Sequence, residues 1–303
     1  MTYVSRLSVA SWKISSHFPG ASLWLRPVQS FMQLIRPGRV SMISLLTLVI
    51  AHISNVPSPD LWFITLAGMF LAMAGFALDF YTDRDADRMG GRTWPINPLA
   101  SGSMSPTSAR IWIGCFVCVA LALCTWVHLL TLIPAAALLL IYWGLAHGVL
   151  DGPIGRAITL GLLQALYVLL AVAATGGFQP TMSWVALVLF VAMFGARAFA
   201  DIRDLPHDVQ TGTRSLPKVY GVRITSWIAP IAITIAAGIA LFIYTLDEMD
   251  VDYLIWTVLA FVPGVVLAWM FKLHPTPNLA FALAWPYWSL GVLYMLALIL
   301  GST

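Results

Sequence analysis

The sequence predicts an all-α, polytopic membrane protein in which residues 1–303 form a single bundle of nine transmembrane helices. Of the 303 residues, 60% are hydrophobic and only 10% are charged, whereas about 25% are charged in an ordinary soluble domain. Polar residues are too few to coat a soluble globule, and repeated apolar stretches approach the roughly 20 residues that cross a bilayer core. The small net charge of +3 gives no reason to expect a nucleic-acid partner.

Residues 1–38 are expected to form a cytoplasmic or interfacial segment before the first membrane span. They contain no continuous apolar core of the kind that a cleavable signal needs. Within them, Trp24, Val28, Phe31 and Ile35 follow one another at spacings of 4, 3 and 4. This spacing places the four side chains on one face of a helix. The pattern predicts an amphipathic helix lying at the membrane surface.

Nine apolar stretches of usable length follow, and each is interpreted as a transmembrane helix. Pro106 and Pro277 stand near predicted helix starts, where proline is tolerated. The segment LPKVYG at 216–221 is interpreted as a loop because Pro and Gly punctuate it. The predicted spans are 40–56, 61–82, 108–129, 131–148, 157–176, 182–200, 223–246, 252–271 and 278–300.

The distribution of charge predicts a cytoplasmic N-terminus and a C-terminus on the outer side. With this orientation, all 16 Lys and Arg residues fall in cytoplasmic loops, in the N-terminal segment or at the adjoining helix ends. The charged residues of the outer loops are all acidic. This partition follows the positive-inside rule, and adding or dropping a span would destroy it. The cytoplasmic loops are 83–107, 149–156, 201–222 and 272–277.

A first group of acidic residues ends the second predicted span. Asp79, Asp83 and Asp87 are spaced i, i+4, i+8, so a continuous helix would place them on one face, whereas Asp85 points elsewhere. Like charges at this spacing destabilise a helix, and a carboxylate within a bilayer costs about 2.5–3.5 kcal/mol at its centre. The chain therefore needs this negative charge for a purpose.

A second acidic group, in the segment DIRDLPHD, ends the sixth predicted span. Asp201, Asp204 and Asp208 are spaced i, i+3, i+7, which again gives one face if the helix continues past Leu205. Pro206 makes that continuation doubtful. The two groups end helices separated by an even number of crossings, so they face the same side and can close over one cavity.

Hard divalent cations are the natural partners of two such carboxylate groups, because Mg²⁺ favours carboxylate oxygens together with substrate phosphates. The alternative interpretation is that the acids are ordinary solvated loop residues that pair with nearby arginines. Arg84, Arg88, Arg203 and Arg214 are available for that pairing.

At these residues the chain resembles the UbiA superfamily of intramembrane prenyltransferases. The second motif of the family reads DxxDxxxD, followed by a Gly and a TLP-like turn. The segment DIRDLPHDVQTGTRSLP matches it closely. It supplies Asp201, Asp204, Asp208, Gly212, Ser215, Leu216 and Pro217.

The first motif of the family, NDxxDxxxD followed by RPxxSG, is recognisable but altered. Asp79 stands where Asn is usual, and Phe80 stands where the second Asp is usual. Asp83 and Asp87 match the motif. In the segment NPLASG, Asn97 takes the place of the Arg. The segment RPGR at 36–39 and the count of nine spans also fit the family.

The resemblance implies a nine-helix bundle whose central cavity opens to the cytoplasmic side. It also implies that Mg²⁺ and a prenyl diphosphate bind in this cavity and that the prenyl tail occupies an apolar tunnel. Ionisation of the diphosphate would leave an allylic carbocation, which alkylates a small acceptor, most often an aromatic one. By this resemblance the catalytic and metal-binding residues are Asp79, Asp83, Asp87, Asp201, Asp204 and Asp208.

Cationic and aromatic side chains near the motifs complete the predicted site. Fixed cations stabilise a diphosphate as it leaves, and the candidates are Arg88, Arg92, Arg156, Arg214 and Lys218. Aromatic faces stabilise a carbocation without attacking it. The candidates for such a wall are Tyr81, Tyr142 and Trp143. The family often has a Lys after a Tyr in the loop that follows span four, but here Tyr142 is followed by His147 and no Lys. His147 could also act as a base toward the acceptor.

Two alternatives to prenyl transfer stay open at the level of the sequence. A terpene cyclase of the same superfamily would ionise the same diphosphate without an external acceptor. A cation-coupled transporter would use the acids as an ion site, although nine spans do not divide into two equal repeats. A compact chain without a transit peptide favours a bacterial plasma membrane. The sequence leaves protein partners undetermined.

Overall fold

The computed structural model describes residues 21–89, 96–150, 152–177, 179–246 and 249–302, and the regular elements within these ranges are all helices. A single 3₁₀ turn, Leu129–Thr131, precedes the fifth α-helix. In chain order the α-helices are α1 (Ala21–Ile35), α2 (Pro37–Ile53), α3 (Asp60–Met89), α4 (Pro106–Val127), α5 (Leu132–Ala146), α6 (Pro153–Ala173), α7 (Pro180–Thr211), α8 (Leu216–Tyr220), α9 (Val222–Tyr244), α10 (Val251–Leu273) and α11 (Pro277–Leu300).

The predicted polytopic, all-α fold is confirmed. Within the described ranges, eight helices are long and apolar enough to cross a membrane: α3 to α7 and α9 to α11, with the 3₁₀ turn counted into α5. A ninth span forms if Arg26–Ile35 and Pro37–Ile53 are taken together, since they meet at a bend of 49°. The predicted orientation of the termini and the side on which a cavity opens stay predictions.

The helix predicted from the spacing in residues 24–35 is present as α1, but α1 does not simply rest beside the bundle. The Phe31 ring lies 4.8 Å from the Trp112 ring and 6.2 Å from the Phe116 ring, both on α4. Leu34 and Ile35 are buried. The C-terminal half of α1 therefore packs on the bundle, while Val28 stays exposed.

The bend between α1 and α2 occurs at Arg36, whose φ of 50° and ψ of 64° lie in the left-handed region. Pro37 follows directly, and the residue before a proline is disfavoured in the right-handed helical region. A non-glycine residue in the left-handed region costs on the order of 1–3 kcal/mol. The bend directs the Arg36 side chain toward the end of α3, where it finds its partners.

The structure changes the interpretation of the predicted loop 201–222. The helix α7 continues through Pro206 to Thr211, so the first part of that segment is helical and the doubt raised by Pro206 is removed. The segment 216–221 is not a plain loop, because Leu216–Tyr220 forms the short helix α8. Its first N–H group, that of Leu216, donates to the Asp201 carboxylate at 3.0 Å, so a side chain from α7 satisfies the start of α8.

Small residues allow the helices that carry the site to approach closely. At Gly75, on the face of α3 one turn before Asp79, an added Cβ would lie 2.3 Å from the Tyr142 ring on α5. Any larger residue would force the ring away. Close helix packing at small residues is typical of membrane bundles. Tyr142 is held from its other end by a hydrogen bond of 3.1 Å between its hydroxyl and that of Tyr167 on α6.

Candidate active site

The two acidic groups lie at the same end of the bundle and their helices meet there. The His207 Nε2 atom, on the last turns of α7, is 3.8 Å from the Asp87 Oδ1 atom near the end of α3. Because α3 and α7 are separated by an even number of crossings, this contact also agrees with the alternation of the helices. The sequence-based expectation that the two groups face one side is met in the described part of the chain.

Within the second group, Asp201 is the most deeply buried carboxylate and is held from two sides. Its side chain is 1% exposed, and its Oδ1 atom is 2.7 Å from the Arg197 Nε atom one turn earlier on α7. Its Oδ2 atom accepts the Leu216 N–H group. A buried carboxylate is stable only with such compensation. Asp201 therefore joins the end of α7 to the start of α8.

The remaining residues of the second group lie closer to solvent or to the helix end. The Arg203 guanidinium donates two hydrogen bonds of 2.7 Å to the Asp204 carboxylate. Asp208 is buried, and its backbone carbonyl accepts from Lys218 Nζ at 3.4 Å. Continuation of α7 past Pro206 keeps Asp208 in helical register with Asp201, so the predicted shared face exists.

The first group is arranged differently along its helix. The Asp79 Oδ2 atom is 3.0 Å from the Arg36 Nη2 atom, and the Arg36 side chain is only 8% exposed. The Arg36 guanidinium also lies over the Phe80 ring, 3.8 Å from its centroid. Asp83 is exposed, whereas Asp87 is buried. Two departures from the family motif, Asp79 and Phe80, thus both contact one arginine.

Asp85 behaves as its spacing predicts and stays outside this arrangement. Its side chain is 67% exposed and lies 3.6 Å from the Arg84 Nε atom, a surface ion pair of small energetic value. Arg84 also donates to the Tyr81 carbonyl. The continuous helix α3 therefore separates Asp85 from the face of Asp79, Asp83 and Asp87.

Asn97, the third departure from the family motif, connects the loop after α3 to the first acidic group. Its Nδ2 atom donates to the Asp87 Oδ2 atom and to the Phe80 carbonyl, each at 2.9 Å. Its Oδ1 atom accepts from the N–H groups of Leu99 and Ala100 at 3.0 and 3.4 Å. Asn97 is 2% exposed, and both polar atoms of its side chain are hydrogen-bonded, so it fixes the loop against the end of α3.

We expect the substitution Asn97→Asp to destabilise this corner more than Asn97→Ala. Asn97→Ala removes the hydrogen bonds and leaves buried acceptors unpaired, which costs about 1–3 kcal/mol. Asn97→Asp keeps the size but places a second carboxylate against Asp87, which adds like-charge repulsion. Thermal unfolding of the detergent-purified variants measures the order. Equal stability of Asn97→Asp and the unsubstituted protein would show that the amide donor is not needed.

Only some of the basic residues that were predicted to bind the diphosphate lie at the acidic groups. Arg88 donates to the carbonyls of Ala100 and Leu99 at 3.3 and 3.5 Å, which supports the loop of Asn97. Lys218 reaches the end of α7, as described above. Arg214 is exposed just after α7, and Arg156 is half-buried in the first turn of α6. Arg92 falls outside the described residues.

The predicted aromatic wall divides into one deep ring and two peripheral ones. Tyr142 is buried beside Gly75, directly behind the first acidic group. Tyr81 is half-buried with the Arg84 guanidinium 4.7 Å from its ring centroid, so its face is already in contact with a cation. Trp143 is exposed and stacks on His147, with ring centroids 4.5 Å apart. Of the three rings, Tyr142 has the position expected of a wall.

Three residues of the site were not identified from the sequence. Arg36 was noted only as part of RPGR, and Arg197 and His207 were given no role. Arg197 is spaced i, i−4 from Asp201 and so shares its helix face, a signal present in the sequence. Arg36 and His207 act across helices, and no local spacing reveals such contacts.

The donor atoms at this end of the bundle fit Mg²⁺ by their chemistry, since they are carboxylate oxygens from both acidic groups. Among the residues that the structure describes, no three His, Cys, Asp or Glu side chains stand close enough to form a metal centre by themselves. Mg²⁺ commonly uses one or two protein carboxylates together with substrate phosphates and water. The arrangement therefore suits a metal that arrives with a diphosphate better than a permanently bound one.

Comparison with known proteins shows the family of the chain. The sequence matches the UbiA prenyltransferase family over residues 40–290. It is 25% identical to digeranylgeranylglyceryl phosphate synthase from Methanobrevibacter smithii, over 78% of this chain and 86% of that protein. It is 26% identical to the protein of the same name from Natronomonas pharaonis, over 84% of this chain and 91% of that protein.

Solved structures share the fold. A digeranylgeranylglyceryl phosphate synthase structure superposes with a TM-score of 0.74 and 18% identity, covering 91% of this chain and 98% of that chain. A UbiA homolog from Archaeoglobus fulgidus bound to GPP and Mg²⁺ superposes with a TM-score of 0.70 and 16% identity, covering 89% of this chain and 99% of that chain. On its fold and on the match over most of its length, the chain belongs to the UbiA prenyltransferase family and is an integral membrane protein.

Proposed function

We propose that this prenyltransferase uses Mg²⁺ and a prenyl diphosphate, and transfers the prenyl group to a hydroxyl of a glyceryl phosphate lipid. The observation that carries the site is the convergence of two distant acidic groups, with Asp87 and His207 3.8 Å apart. The acceptor is proposed from the relatives, which are archaeal digeranylgeranylglyceryl phosphate synthases matched over most of their length. This replaces the aromatic acceptor expected from the sequence.

In the proposed reaction, the bond between the allylic carbon and the diphosphate oxygen breaks, and the diphosphate leaves with both electrons. The acceptor hydroxyl oxygen then bonds to that carbon, and its proton passes to the released diphosphate or to solvent. When bound, Mg²⁺ supplies Lewis-acid neutralisation of the leaving diphosphate. The residues that would hold it are Asp79, Asp83, Asp87, Asp201, Asp204 and Asp208.

Basic side chains of the chain itself would share the charge of the diphosphate. Lys218 is the best placed of the predicted cations, because its ammonium group reaches from α8 to the backbone carbonyl of Asp208 near the end of α7. Arg36, held by Asp79 and packed on Phe80, is a further candidate that the structure adds. Fixed cations in a site of low water content stabilise a leaving anion without reorganising as the bond breaks.

Tyr142 is the proposed wall of the carbocation. It is buried between α3 and α6, and its hydroxyl is hydrogen-bonded to Tyr167, so the ring is fixed in orientation. An aromatic face attracts a cation and has no lone pair that would attack it. The orientation proposed from the charge distribution puts this site at the cytoplasmic end. The assignment to a bacterial membrane stays a prediction, since the relatives compared above are archaeal.

Product analysis tests this proposal directly. The purified protein is incubated with Mg²⁺, geranylgeranyl diphosphate and a glyceryl phosphate that carries one geranylgeranyl group, with 4-hydroxybenzoate as the alternative acceptor. We expect mass spectrometry to detect a glyceryl phosphate with two prenyl chains, and no product when the metal is chelated. Transfer to the aromatic acceptor alone would contradict the proposed acceptor.

Two further outcomes separate the competing functions. A cyclic hydrocarbon or alcohol formed from the diphosphate without any acceptor would identify a terpene cyclase. If no arm showed Mg²⁺-dependent release of diphosphate, both the prenyltransferase and the terpene cyclase would be contradicted, and ion transport would be the function left to test. An acceptor-dependent product excludes both alternatives at once.

A further inference from the structure

A cavity lies at the same end of the bundle as the acidic groups and apart from them. It occupies about 460 Å³ between the start of α9 and the end of α10, a size within the range of small-molecule sites. Arg223, Ser226 and Trp227 line it from α9, and Lys272 and Leu273 line it from α10. The start of α9 and the end of α10 both belong to the end that carries the motifs, because α9 follows α8 and α10 returns from the far side.

The positive charge in this cavity is held in place by aromatic rings. The Lys272 Nζ atom is 3.7 Å from the centroid of the Trp227 ring and 5.7 Å from that of Trp269. The two rings contact each other edge to face, with centroids 5.8 Å apart. A cation–π contact of this kind positions an ammonium group but leaves its formal charge intact.

No carboxylate neutralises either cation of the cavity within the ranges that the structure describes. The basic residues seen in ion pairs with Asp side chains include Arg36, Arg84, Arg197, Arg203 and His207. Arg223 and Lys272 take part in none of them. Two neighbouring unpaired cations repel each other, so an anion placed between them would lower the energy of the cavity.

The surface beside the cavity is apolar and exposed. Ile224, Met270 and Leu273 project outward together with the two tryptophans. Trp side chains next to basic residues are typical of the boundary between lipid tails and headgroups. A water-soluble anion would gain nothing from this flank, whereas an acyl chain would cover it.

We infer that this cavity binds the phosphate headgroup of an anionic membrane lipid. Arg223 and Lys272 contact the phosphate oxygens, and the acyl chains follow the apolar flank of Ile224 and Met270. The site lies apart from the acidic motifs and does not depend on which acceptor the enzyme prenylates. Its lipid is a bound neighbour of the protein and takes no part in the transfer.

Native mass spectrometry of the detergent-purified full chain tests the inference. Dioleoyl phosphatidylglycerol and dioleoyl phosphatidylcholine are titrated separately onto the unsubstituted protein and onto the double variant Arg223→Gln/Lys272→Gln. We expect the protein to retain one phosphatidylglycerol in preference to phosphatidylcholine, and the double variant to lose that affinity by at least about tenfold, the effect of about 1.4 kcal/mol. Arg110→Gln changes an exposed arginine near the start of α4. It is the control and should bind as the unsubstituted protein does.

Several results would overturn the inference. Equal retention of phosphatidylglycerol by the double variant and by Arg110→Gln would show that the cavity is not its site. Equal retention of the two lipids would remove the role of net charge. A third arm measures thermal unfolding with inorganic phosphate alone; stabilisation equal to that given by phosphatidylglycerol would make free phosphate the ligand and would contradict the lipid assignment. If the double variant unfolds at a much lower temperature than the unsubstituted protein, the single variant Lys272→Gln takes its place. The same lipid-binding results then support or overturn the inference.

Discussion

Replacing Asp83 by Ala is expected to lower the rate of prenyl transfer by at least about 100-fold, the usual scale for losing one electrostatic contribution to a leaving anion, because Asp83 would help to hold the Mg²⁺ that neutralises the diphosphate. Asp83 is exposed at the end of α3 on the face that it shares with Asp79 and Asp87, so its loss should leave the fold intact. Asp204→Ala is expected to have an effect of the same size from the other motif. Initial rates of diphosphate release measure both.

Asp85→Ala is the matched control for this prediction. Asp85 lies two residues from Asp83 on the same helix, carries the same charge and is also exposed, but it faces away and pairs with Arg84. We expect its rate to stay within about threefold of the unsubstituted protein, the size of effect of an exposed ion pair. Equal losses in Asp83→Ala and Asp85→Ala would mean that only the net charge of the segment matters.

The largest expected effect on stability comes from Asp201→Leu. This change leaves the Arg197 guanidinium without its counter-ion and the buried Leu216 N–H group without its acceptor. Removing one partner of a buried ion pair costs about 3–5 kcal/mol, and the lower end of that range applies because the Arg197 side chain is 28% exposed. Thermal unfolding in detergent, followed by tryptophan fluorescence, should show a large drop in the midpoint temperature.

Asp201→Asn separates the two roles of this residue. The amide oxygen still accepts from Leu216, so we expect an intermediate loss of stability together with a loss of activity as large as that of Asp204→Ala. Asp85→Leu, at an exposed position, should unfold at nearly the original temperature. An Asp201→Leu variant as stable as Asp85→Leu would show that the contacts to Arg197 and Leu216 contribute nothing to the fold.

The fold class followed from the sequence because it depends on quantities that the sequence contains directly. The composition excluded a soluble globule, and the lengths of the apolar stretches set the spans. The bend at Arg36 is harder to foresee. Pro37 indicates a break in the helix, but the angle between α1 and α2 depends on how Leu34 and Ile35 pack against the rest of the bundle.

The site was predictable where it rests on local spacing and unpredictable where it rests on contacts between helices. The shared faces of the acidic groups follow from helical periodicity, and α7 keeps that periodicity through Pro206. The helix α8 was missed because its first N–H group is satisfied by Asp201, a residue distant along the chain. The same holds for Asp79, whose departure from the family motif makes sense only beside Arg36.

Asn97 shows why a motif comparison alone misleads. Compared with the family pattern, it is a lost arginine and so a weakened phosphate site. In the structure its amide joins Asp87, the Phe80 carbonyl and the following loop, a set of contacts whose geometry an arginine could not reproduce. The substitution changes how the loop is anchored, and Arg88 supports the same loop from its outer side.

The central claim is that both acidic motifs hold one metal–diphosphate complex. Cryo-electron microscopy of the protein with Mg²⁺ and a non-hydrolysable prenyl thiodiphosphate tests it most directly. The account predicts metal density about 2.0–2.1 Å from carboxylate oxygens, with at least one ligand from Asp79, Asp83 or Asp87 and one from Asp201, Asp204 or Asp208 around the same diphosphate. If the metal were bound by one motif alone, while the carboxylates of the other motif stayed paired with their arginines, the claim of a shared complex would be contradicted.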